Sequence, residues 1–472
     1  MPLILPGNVA SATASTTYDV ANSCRFNGGD SVGMSRTMGT PTDADKWTFS
    51  CWVKRGAISN GTTMIFYAFA SPDEGGPKFY TTNDSLRNQN WVSSAAEGDQ
   101  ITTRQFRDAA AWYHIVCVYD AGNATAGNRM RIYVNGTEET VFTTDANPDQ
   151  NQASAINSAI KHCIGSYNDA SNFFDGYIAE CVFSDGQAYA ASDFGEFDSD
   201  SPTIWKPKDP SGLTFGDNGF WLDFEDSADL GKDVSGEGND FTVANLDATD
   251  QATDTPTNNF CVMNPLDSYW GGATFSQGNC KVVFSAPLYG FKVGTFGLTS
   301  GKWYFEAKIL TNPGSYGMGI ADHVQLVAVT TLGYGTYQWQ YQQTGIYDNG
   351  DSRNTPYGDS YTNGDIVACA LDLDNNKIYW SKAGVWQASS DPTDGTNAVA
   401  ITDPASGPKD GCYYPSVGDW DDYTDDWEVN FGGCSSFTVS SGNADDNGYG
   451  NFEYDVPAGY YAICTKNLAE YG

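Results

Sequence analysis

The sequence predicts an all-β protein built from two antiparallel β-sandwich modules. Aromatic residues make up 14% of the chain and glycines number 51; aromatic side chains favour half-buried pleated surfaces, and glycines favour tight turns. Short apolar runs recur between turn residues, and many alternate with period two, as in Arg131-Ile132-Tyr133-Val134. Because 472 residues are too many for one hydrophobic core, more than one module is expected.

Composition along the chain predicts four segments. Residues 1–20 are small, polar and interrupted by proline and glycine, so we expect an extended N-terminal arm. Residues 21–200 carry a first series of strands, with one short helix-like stretch at 188–197. Residues 201–279 are rich in proline, then in threonine and aspartate, and are predicted to be a connector with short strands. Residues 280–472 carry a second series, to which the C-terminal stretch NFEYDVPAGYYAICTKN is expected to return a strand.

Two hairpin turns can be identified from their residues. Asn135-Gly136 follows the apolar run RIYV and is a type I′ signal, because both positions tolerate left-handed backbone. Asp374, Asn375 and Asn376 separate two apolar runs in LDLDNNKIYW and have the same turn chemistry. Both turns predict neighbouring antiparallel strands.

The charge of the chain excludes one class of partner. The formal net charge is −35, so a phosphate backbone would be repelled and nucleic acid is not an expected partner. Such charge keeps a crowded particle surface soluble, and clustered carboxylates could also take calcium. The composition is consistent with both interpretations, solubility alone and calcium binding.

Cysteine placement and the start of the chain bear on the compartment. The 11 cysteines form no CxxC pair, and Cys51, Cys117, Cys181 and Cys369 stand inside apolar strand-like runs. We expect free, buried thiols made in a reducing cytoplasm. The start lacks a basic region, and no apolar run approaches the ~18 residues of a membrane span, so neither a secretion signal nor a span is predicted. Such a chain fits particle assembly inside a host, followed by lysis.

The first strand series carries an ordered set of motifs. WYHIVCVYD (112–120), RIYVNG (131–136), the run IGS and FFDGYIAECVF (173–183) occur in that order. This order resembles the laminin-G-like, concanavalin-type jelly roll. The resemblance covers about 180 residues and implies that these motifs are scaffold rather than ligand contacts.

The second strand series resembles a SPRY domain. GKWYFEAKI (301–309) precedes YGMGIA (316–321), GDIVACALDLDNNKIYWSKAGVW (364–386) and YYPSVG (413–418). Ala383-Gly384 stands where that family usually has Asn-Gly, and Cys369 where it often has glycine. These departures are minor for the fold and say nothing about the ligand.

Together the two modules resemble virion structural and tail-fibre proteins of marine and cyanobacterial phages. The resemblance implies a bacteriophage virion structural protein (a tail fibre, an appendage or a capsid decoration), assembled in the host cytoplasm and displayed on the virion surface. Expected partners are other virion proteins, host cell-surface glycan or protein, and further copies of this chain. Sandwiches expose edge strands that a symmetric assembly can bury, and the analogy with phage fibres implies a trimer.

A calcium site is the one cofactor that the residues suggest. Asp233, Asn239 and Asp240 in KDVSGEGND offer oxygen ligands on a glycine-rich turn. A purely structural turn, or a polar contact with the neighbouring module, explains the same residues. The run GDWDDYTDDWE (418–428) is denser in aspartate but lacks the spacing of an EF-hand, and is interpreted as a solvated loop. Its acidic residues include Asp419, Asp421, Asp422, Asp425 and Asp426.

The sequence predicts a protein that is not an enzyme. The three histidines, His114, His162 and His323, have no HxxxH spacing, and no GxSxG motif occurs. The two-carboxylate string E-x-D-x-x-E of concanavalin-fold glycosidases is also absent. A polysaccharide depolymerase using Glu180 or Glu306 remains an alternative, as does an architectural decoration protein without a ligand.

Overall fold

The computed structural model describes two compact units, one formed by residues up to 257 and one by residues 258–472. The described residues are 18–58, 61–267, 272–285, 290–311, 316–322, 332–350, 352–419 and 425–472. Most of the predicted arm, and with it residues 1–17, therefore lies outside the described residues.

The first unit is a sandwich of two antiparallel sheets with a small two-stranded ribbon. In chain order its strands are β1 (Ser23–Phe26), β2 (Gly33–Thr37), β3 (Lys46–Arg55), β4 (Thr63–Met64), β5 (Phe66–Ala70), β6 (Asp73–Tyr80), β7 (Ser85–Val92), β8 (Ala95–Gln105), β9 (Trp112–Asp120), β10 (Met130–Val134), β11 (Thr137–Glu138), β12 (Phe142–Ala146), β13 (Lys161–Ile164), β14 (Gly176–Asp185), β15 (Gly195–Phe197), β16 (Trp205–Pro207), β17 (Phe220–Leu222), β18 (Thr242–Ala244) and β19 (Gln251–Ala252).

Two large sheets enclose the core of this unit. Sheet 1 has the order β11-β10-β9-β3-β14-β1-β19, with β17 also paired to β14. Sheet 2 has the order β12-β8-β7-β6-β5-β13-β2-β18, with β4 also paired to β6. Phe49 of sheet 1 and Phe66 of sheet 2 stack across the sandwich with ring centroids 4.7 Å apart. Alternate residues of each strand therefore fill the space between the sheets, as period-two patterning requires.

The segment predicted as a connector differs from that expectation. Most of it belongs to the first unit, because β17 pairs with β14, β18 with β2, and β19 with β1. These strands have two or three residues each, and their partners lie far away in the sequence. Local patterning carries no information about such distant pairing, so the boundary between the units falls at residues 257/258.

The second unit is also a sandwich of two mainly antiparallel sheets. Its elements are β20 (Ala273–Ser276), β21 (Lys281–Phe284), β22 (Gly290–Val293), β23 (Lys302–Thr311), β24 (Tyr316–Ala321), β25 (Gln338–Gln342), β26 (Ile346–Asn349), β27 (Ser352–Pro356), β28 (Ile366–Asp372), β29 (Lys377–Lys382), β30 (Val385–Trp386), β31 (Val399–Ala400), β32 (Tyr414–Asp419), β33 (Asp426–Asn430), β34 (Tyr461–Ala462) and α1 (Thr465–Tyr471), which is the one α-helix among the described residues.

The sheets of the second unit follow the same layered plan. Sheet 3 runs β20-β21-β33-β23-β28-β29-β30, and sheet 4 runs β22-β32-β24-β25-β26-β27. Tyr316 of sheet 4 meets Trp427 of sheet 3 edge to face, with centroids 5.7 Å apart. The all-β prediction of two sandwiches is thus confirmed. None of the described helices has the length and apolar character needed to span a membrane.

Local sequence predictions also agree with the structure. Asn135 and Gly136 have φ of 47° and 76° and join β10 to β11, as a type I′ turn requires. Asn376 has φ of 56° in the turn between β28 and β29. The C-terminal stretch does return a strand, β34, which pairs in parallel with β23. Cys51, Cys117, Cys181 and Cys369 are buried and form no disulfide among the described residues, as expected.

Candidate functional site: the outer face of sheet 2

The face of sheet 2 that points away from the core is rich in aromatic and polar residues. Strand alternation sends Phe66, Phe79 and Leu86 into the core. Their neighbours therefore point outward, and the cross-strand pairs Lys78↔Arg87 and Glu74↔Trp91 stand on that outer side. We name the following set the sheet-2 face: Tyr67, Phe69, Glu74, Lys78, Tyr80, Arg87, Gln89, Trp91, Asp99 and Tyr167.

The floor of the sheet-2 face is polar and buried. Tyr67, Lys78 and Gln89 are 1%, 6% and 4% exposed. Gln89 donates its side-chain N–H to the Tyr67 hydroxyl. Lys78 Nζ lies 3.4 Å from the same hydroxyl and 4.9 Å from the centroid of the Tyr67 ring. Three polar groups therefore converge on one point of the floor.

Half-buried aromatic side chains surround this floor. They are Phe69, Tyr80, Trp91 and Tyr167. Tyr167 contacts Phe69 with ring centroids 4.8 Å apart, and the Arg87 guanidinium lies 4.8 Å from the centroid of the Tyr80 ring. The indole N–H of Trp91 is buried and has no hydrogen-bond partner in the part of the chain that the structure describes. A ligand with apolar faces and acceptor oxygens would match both properties.

Charged residues of the rim are held in fixed orientations. Arg87 binds Asp99 through two parallel hydrogen bonds of 2.8 Å. Glu74 accepts one hydrogen bond from the Tyr167 hydroxyl at 2.9 Å and another from Gln89 at 3.3 Å. Side chains fixed in this way lose little conformational entropy when they bind a ligand.

Burial sets the electrostatics of the floor. It lowers the pKa of Lys78 to about 8, with a further lowering from the positive charge of Arg87. Burial, assisted by Glu74, raises the pKa of the Tyr67 hydroxyl, and burial together with the hydrogen bond to Glu74 raises the pKa of Tyr167 to about 12. Both hydroxyls are therefore neutral donors at physiological pH, next to a cation that is costly to bury.

Comparison with known families identifies the two units. Residues 26–191 match the model of the concanavalin A-like lectin/glucanases superfamily, and residues 302–400 match that of the SPRY domain. The chain carries a concanavalin-like domain followed by a SPRY domain. These names are used below for the first and second units.

Individual proteins are similar over parts of the chain. Ran-binding protein 9 of Danio rerio is 32% identical over 90 residues, which are 18% of this chain and 14% of that relative's length. The SPRY domain of human HERC1 is 16% identical, with a TM-score of 0.26, over 34% of this chain and 89% of its own. A proposed carbohydrate binding protein from Bacteroides ovatus is 18% identical, with a TM-score of 0.34, over 49% of this chain and 62% of its own.

The residues predicted to hold calcium form a hydrogen-bonded turn in the concanavalin-like domain. Asp233 Oδ1 accepts from the backbone N–H groups of Trp221 and Ser235, both at 2.9 Å. Asp233 Oδ2 accepts from the N–H of Asn239 at 2.7 Å, and Asp240 accepts from the N–H of Asp233 at 2.9 Å. The structure thus brings the three residues together. Within the described part of the chain, no group of three or more His, Cys, Asp or Glu residues is arranged to hold a metal, and calcium binding stays a prediction.

Glu180 and His114 lie beside a small cavity on the outer side of sheet 1. Glu180 accepts a hydrogen bond of 3.0 Å from the Trp221 indole and another from Tyr18. Burial raises the pKa of Glu180 to about 8 and lowers that of His114 to about 3. The cavity has a volume of ≈ 10 Å³, which is room for about one water molecule and too small for a sugar.

The remaining predicted residues occupy different places. In the SPRY domain, Glu306 is buried and accepts hydrogen bonds from the backbone of Glu453 and Tyr454, at 3.0 and 2.9 Å. His162 is buried in the concanavalin-like domain and is bonded to the carbonyl of Ile160 at 2.9 Å. Asp419 and Asp425, in the run interpreted as a solvated loop, are buried, so that interpretation is wrong for these two residues. His323, Asp421 and Asp422 lie outside the described residues.

The sheet-2 face was missed by sequence reasoning. Its strands read DEGGPKFY and SLRNQNWV, in which glycine, proline and charged residues conceal the usual apolar strand signal. A usable signal is nevertheless present, because Arg87, Gln89 and Trp91 recur every second residue and alternate with Leu86, Asn88 and Asn90. Such spacing of aromatic and hydrogen-bonding side chains indicates a strand with one functional face.

Proposed function

We propose that this protein is a non-enzymatic, carbohydrate-binding protein whose concanavalin-like domain takes a glycan on the sheet-2 face. One observation carries the proposal: half-buried aromatic rings surround a floor of converging amide, hydroxyl and ammonium groups. Sugar rings present apolar C–H faces and many hydroxyls, and they bind where aromatic rings stand beside fixed polar groups. The match to a lectin superfamily supports the same class of ligand.

Glycan binding can be tested with two rim substitutions and one control. Purified protein is applied to a panel of immobilised bacterial surface glycans, and bound sugars are then measured by calorimetry. We expect Tyr80→Ala and Trp91→Ala each to weaken binding about tenfold, equivalent to ~1.4 kcal/mol. Phe197→Ala is the matched control, since Phe197 is an exposed aromatic residue of the same domain that lies on β15. The proposal fails if the panel shows no binding, or if the three variants behave alike.

The absence of catalysis is part of the proposal and has its own test. Glu180 and Glu306 are each held by several donors within separate domains, and both serve the scaffold. Incubation with the glycans that bind should release no reducing sugar. Release that disappears in Glu180→Gln or Glu306→Gln would instead establish a polysaccharide depolymerase.

We further propose that the chain is a virion surface protein of a bacteriophage and forms a homo-trimer there. Supporting arguments are the two-module resemblance, the edge strands that need covering and the net charge of −35, which suits display in solution. Light scattering with and without a chelator, on the full chain and on a chain lacking residues 1–20, measures the oligomer and its need for calcium. A monomer in every condition, together with absence of the chain from purified particles, would refute this proposal.

A further inference from the structure

Lys78 is a buried cation without an ion-pair partner among the described residues. Its side chain is 6% exposed, and among the described residues it forms no ion pair. Other cations on the same side of sheet 2 are paired, Arg87 with Asp99 and Lys161 with Asp169. The chain contains 59 acidic and only 24 basic residues, so a lysine without a carboxylate partner is unexpected.

The surroundings of Lys78 make its charge costly. Its ammonium contacts the neutral Tyr67 hydroxyl at 3.4 Å, which is a long hydrogen bond. Arg87, directly opposite on β7, adds repulsion. Glu74 and Asp99 act on Lys78 at longer range, but their oxygens are occupied by Gln89, Tyr167 and Arg87. A buried ammonium in such a place is stabilised when an external anion approaches it.

We propose that the sheet-2 face is specific for an acidic sugar, with Lys78 as the counter-ion of a single ligand carboxylate. This inference rests on the proposed glycan-binding function and adds the chemical class of the ligand. The half-buried rings of Tyr80 and Trp91 contact the apolar side of the sugar. A single carboxylate is favoured over a polyanion, because the chain's net charge of −35 repels extended anionic chains.

The ligand class implies a dependence on pH. Lys78 has a pKa of about 8 in the free protein, and a bound carboxylate favours its charged form. Binding of an acidic sugar therefore takes up a proton above pH 8, and the affinity falls as pH rises through that value. The groups that face Lys78 are Tyr67, Glu74, Arg87 and Asp99, and the pKa values of Tyr67 and Arg87 are raised, so neither loses its proton near pH 8.

The test uses pairs of oligosaccharides that differ in charge alone. Oligosaccharides containing glucuronic, galacturonic or N-acetylneuraminic acid are each compared with their carboxyl-reduced form by calorimetry on the full chain. We expect at least one acidic member to bind about tenfold more tightly than its reduced form. Lys78→Met should abolish that preference, so that the acidic and reduced members of a pair bind with equal affinity, whereas Lys78→Arg should keep it.

Lys208→Met provides the control for charge. It removes the same charge from an exposed lysine of the same domain, and should leave the preference intact. Equal affinity for the acidic and reduced members of every pair would overturn the acidic-sugar inference while leaving glycan binding standing. No binding of any member would overturn glycan binding itself. A preference that survives in folded Lys78→Met, with folding verified by circular dichroism, would exclude Lys78 as the counter-ion.

Discussion

Trp205 donates its indole N–H to Nδ1 of His114 across 3.0 Å. Because an indole can only donate, Nδ1 must carry a lone pair, and the imidazole proton sits on Nε2. That proton points at Ser50 Oγ, 2.8 Å away. Ser50 and His114 therefore resemble a catalytic dyad in composition but have the opposite proton arrangement, in which histidine donates to serine and cannot act as its base.

Removal of the Ser50 hydroxyl should destabilise the concanavalin-like domain. Ser50→Ala leaves the buried Nε2–H of His114 without its acceptor, at a cost of about 1–3 kcal/mol. The measurement is the free energy of unfolding of this domain in denaturant. Ser211→Ala, at an exposed serine of the same domain, should change it little. Equal effects of the two substitutions would contradict the assigned hydrogen bond.

The Glu180 carboxyl should make stability depend on pH. Its pKa is raised to about 8 in the folded domain, above the value of about 4.3 in an unfolded chain. The associated stability is present at low pH and is lost as pH rises through about 8. We compare the unfolding free energy of Glu180→Gln with that of the natural protein at each pH. The difference should shift by about 2–4 kcal/mol in favour of the variant when the pH is raised from 5 to 9. The other titrating groups are common to both proteins, so parallel pH profiles would show that Glu180 does not titrate as inferred.

A buried ion pair anchors the end of the concanavalin-like domain. Lys54 Nζ lies 2.6 Å from Asp254 Oδ2, both side chains are 1% exposed, and the Trp112 indole donates to the other oxygen at 3.1 Å. Asp254→Ala should lower the unfolding free energy by about 3–5 kcal/mol, because it leaves the buried ammonium of Lys54 without its counter-ion. The double variant Lys54→Met/Asp254→Leu should recover most of that loss. The exposed pair Lys232–Asp226 serves as the control, and Asp226→Ala should have no measurable effect.

Glu306 fastens the C-terminal stretch onto the SPRY domain. Besides two backbone N–H groups, it accepts from the Tyr304 hydroxyl at 3.0 Å and from Asn430 at 3.3 Å. Glu306→Ala should expose residues 440–472 to limited proteolysis and lower the unfolding free energy by about 3 kcal/mol or more. Glu306→Gln keeps an acceptor and should be milder. Unchanged cleavage in the alanine variant would show that other contacts hold this stretch.

The sequence was most informative where structure depends on neighbouring residues. Asn135-Gly136 and Asn376 adopt the left-handed backbone that their side chains tolerate, and the alternating run from Arg131 to Val134 is a strand. Long-range strand pairing could not be predicted, because β17, β18 and β19 are too short to show a hydrophobic periodicity of their own. The candidate site was missed for a related reason: Lys78 lies in a strand containing glycines and proline, and the ring that it contacts, that of Tyr67, belongs to another strand, β5.

The pairing of β1 with β19 brings the first and last strands of the concanavalin-like domain side by side, with Ser23 opposite Ala252. Tension applied between the two ends of this domain would pull these strands apart in an unzipping direction, so their hydrogen bonds would break one after another rather than together. The first to be loaded are those joining Val20 to Thr257, followed by the bond from Ser23 to Asp254. The Lys54–Asp254 ion pair is loaded next, and it resists further strand separation at the point where the separation would reach the core. Under mechanical load this domain should therefore yield from its paired ends inward, with the sheet-2 face among the last parts to be disturbed.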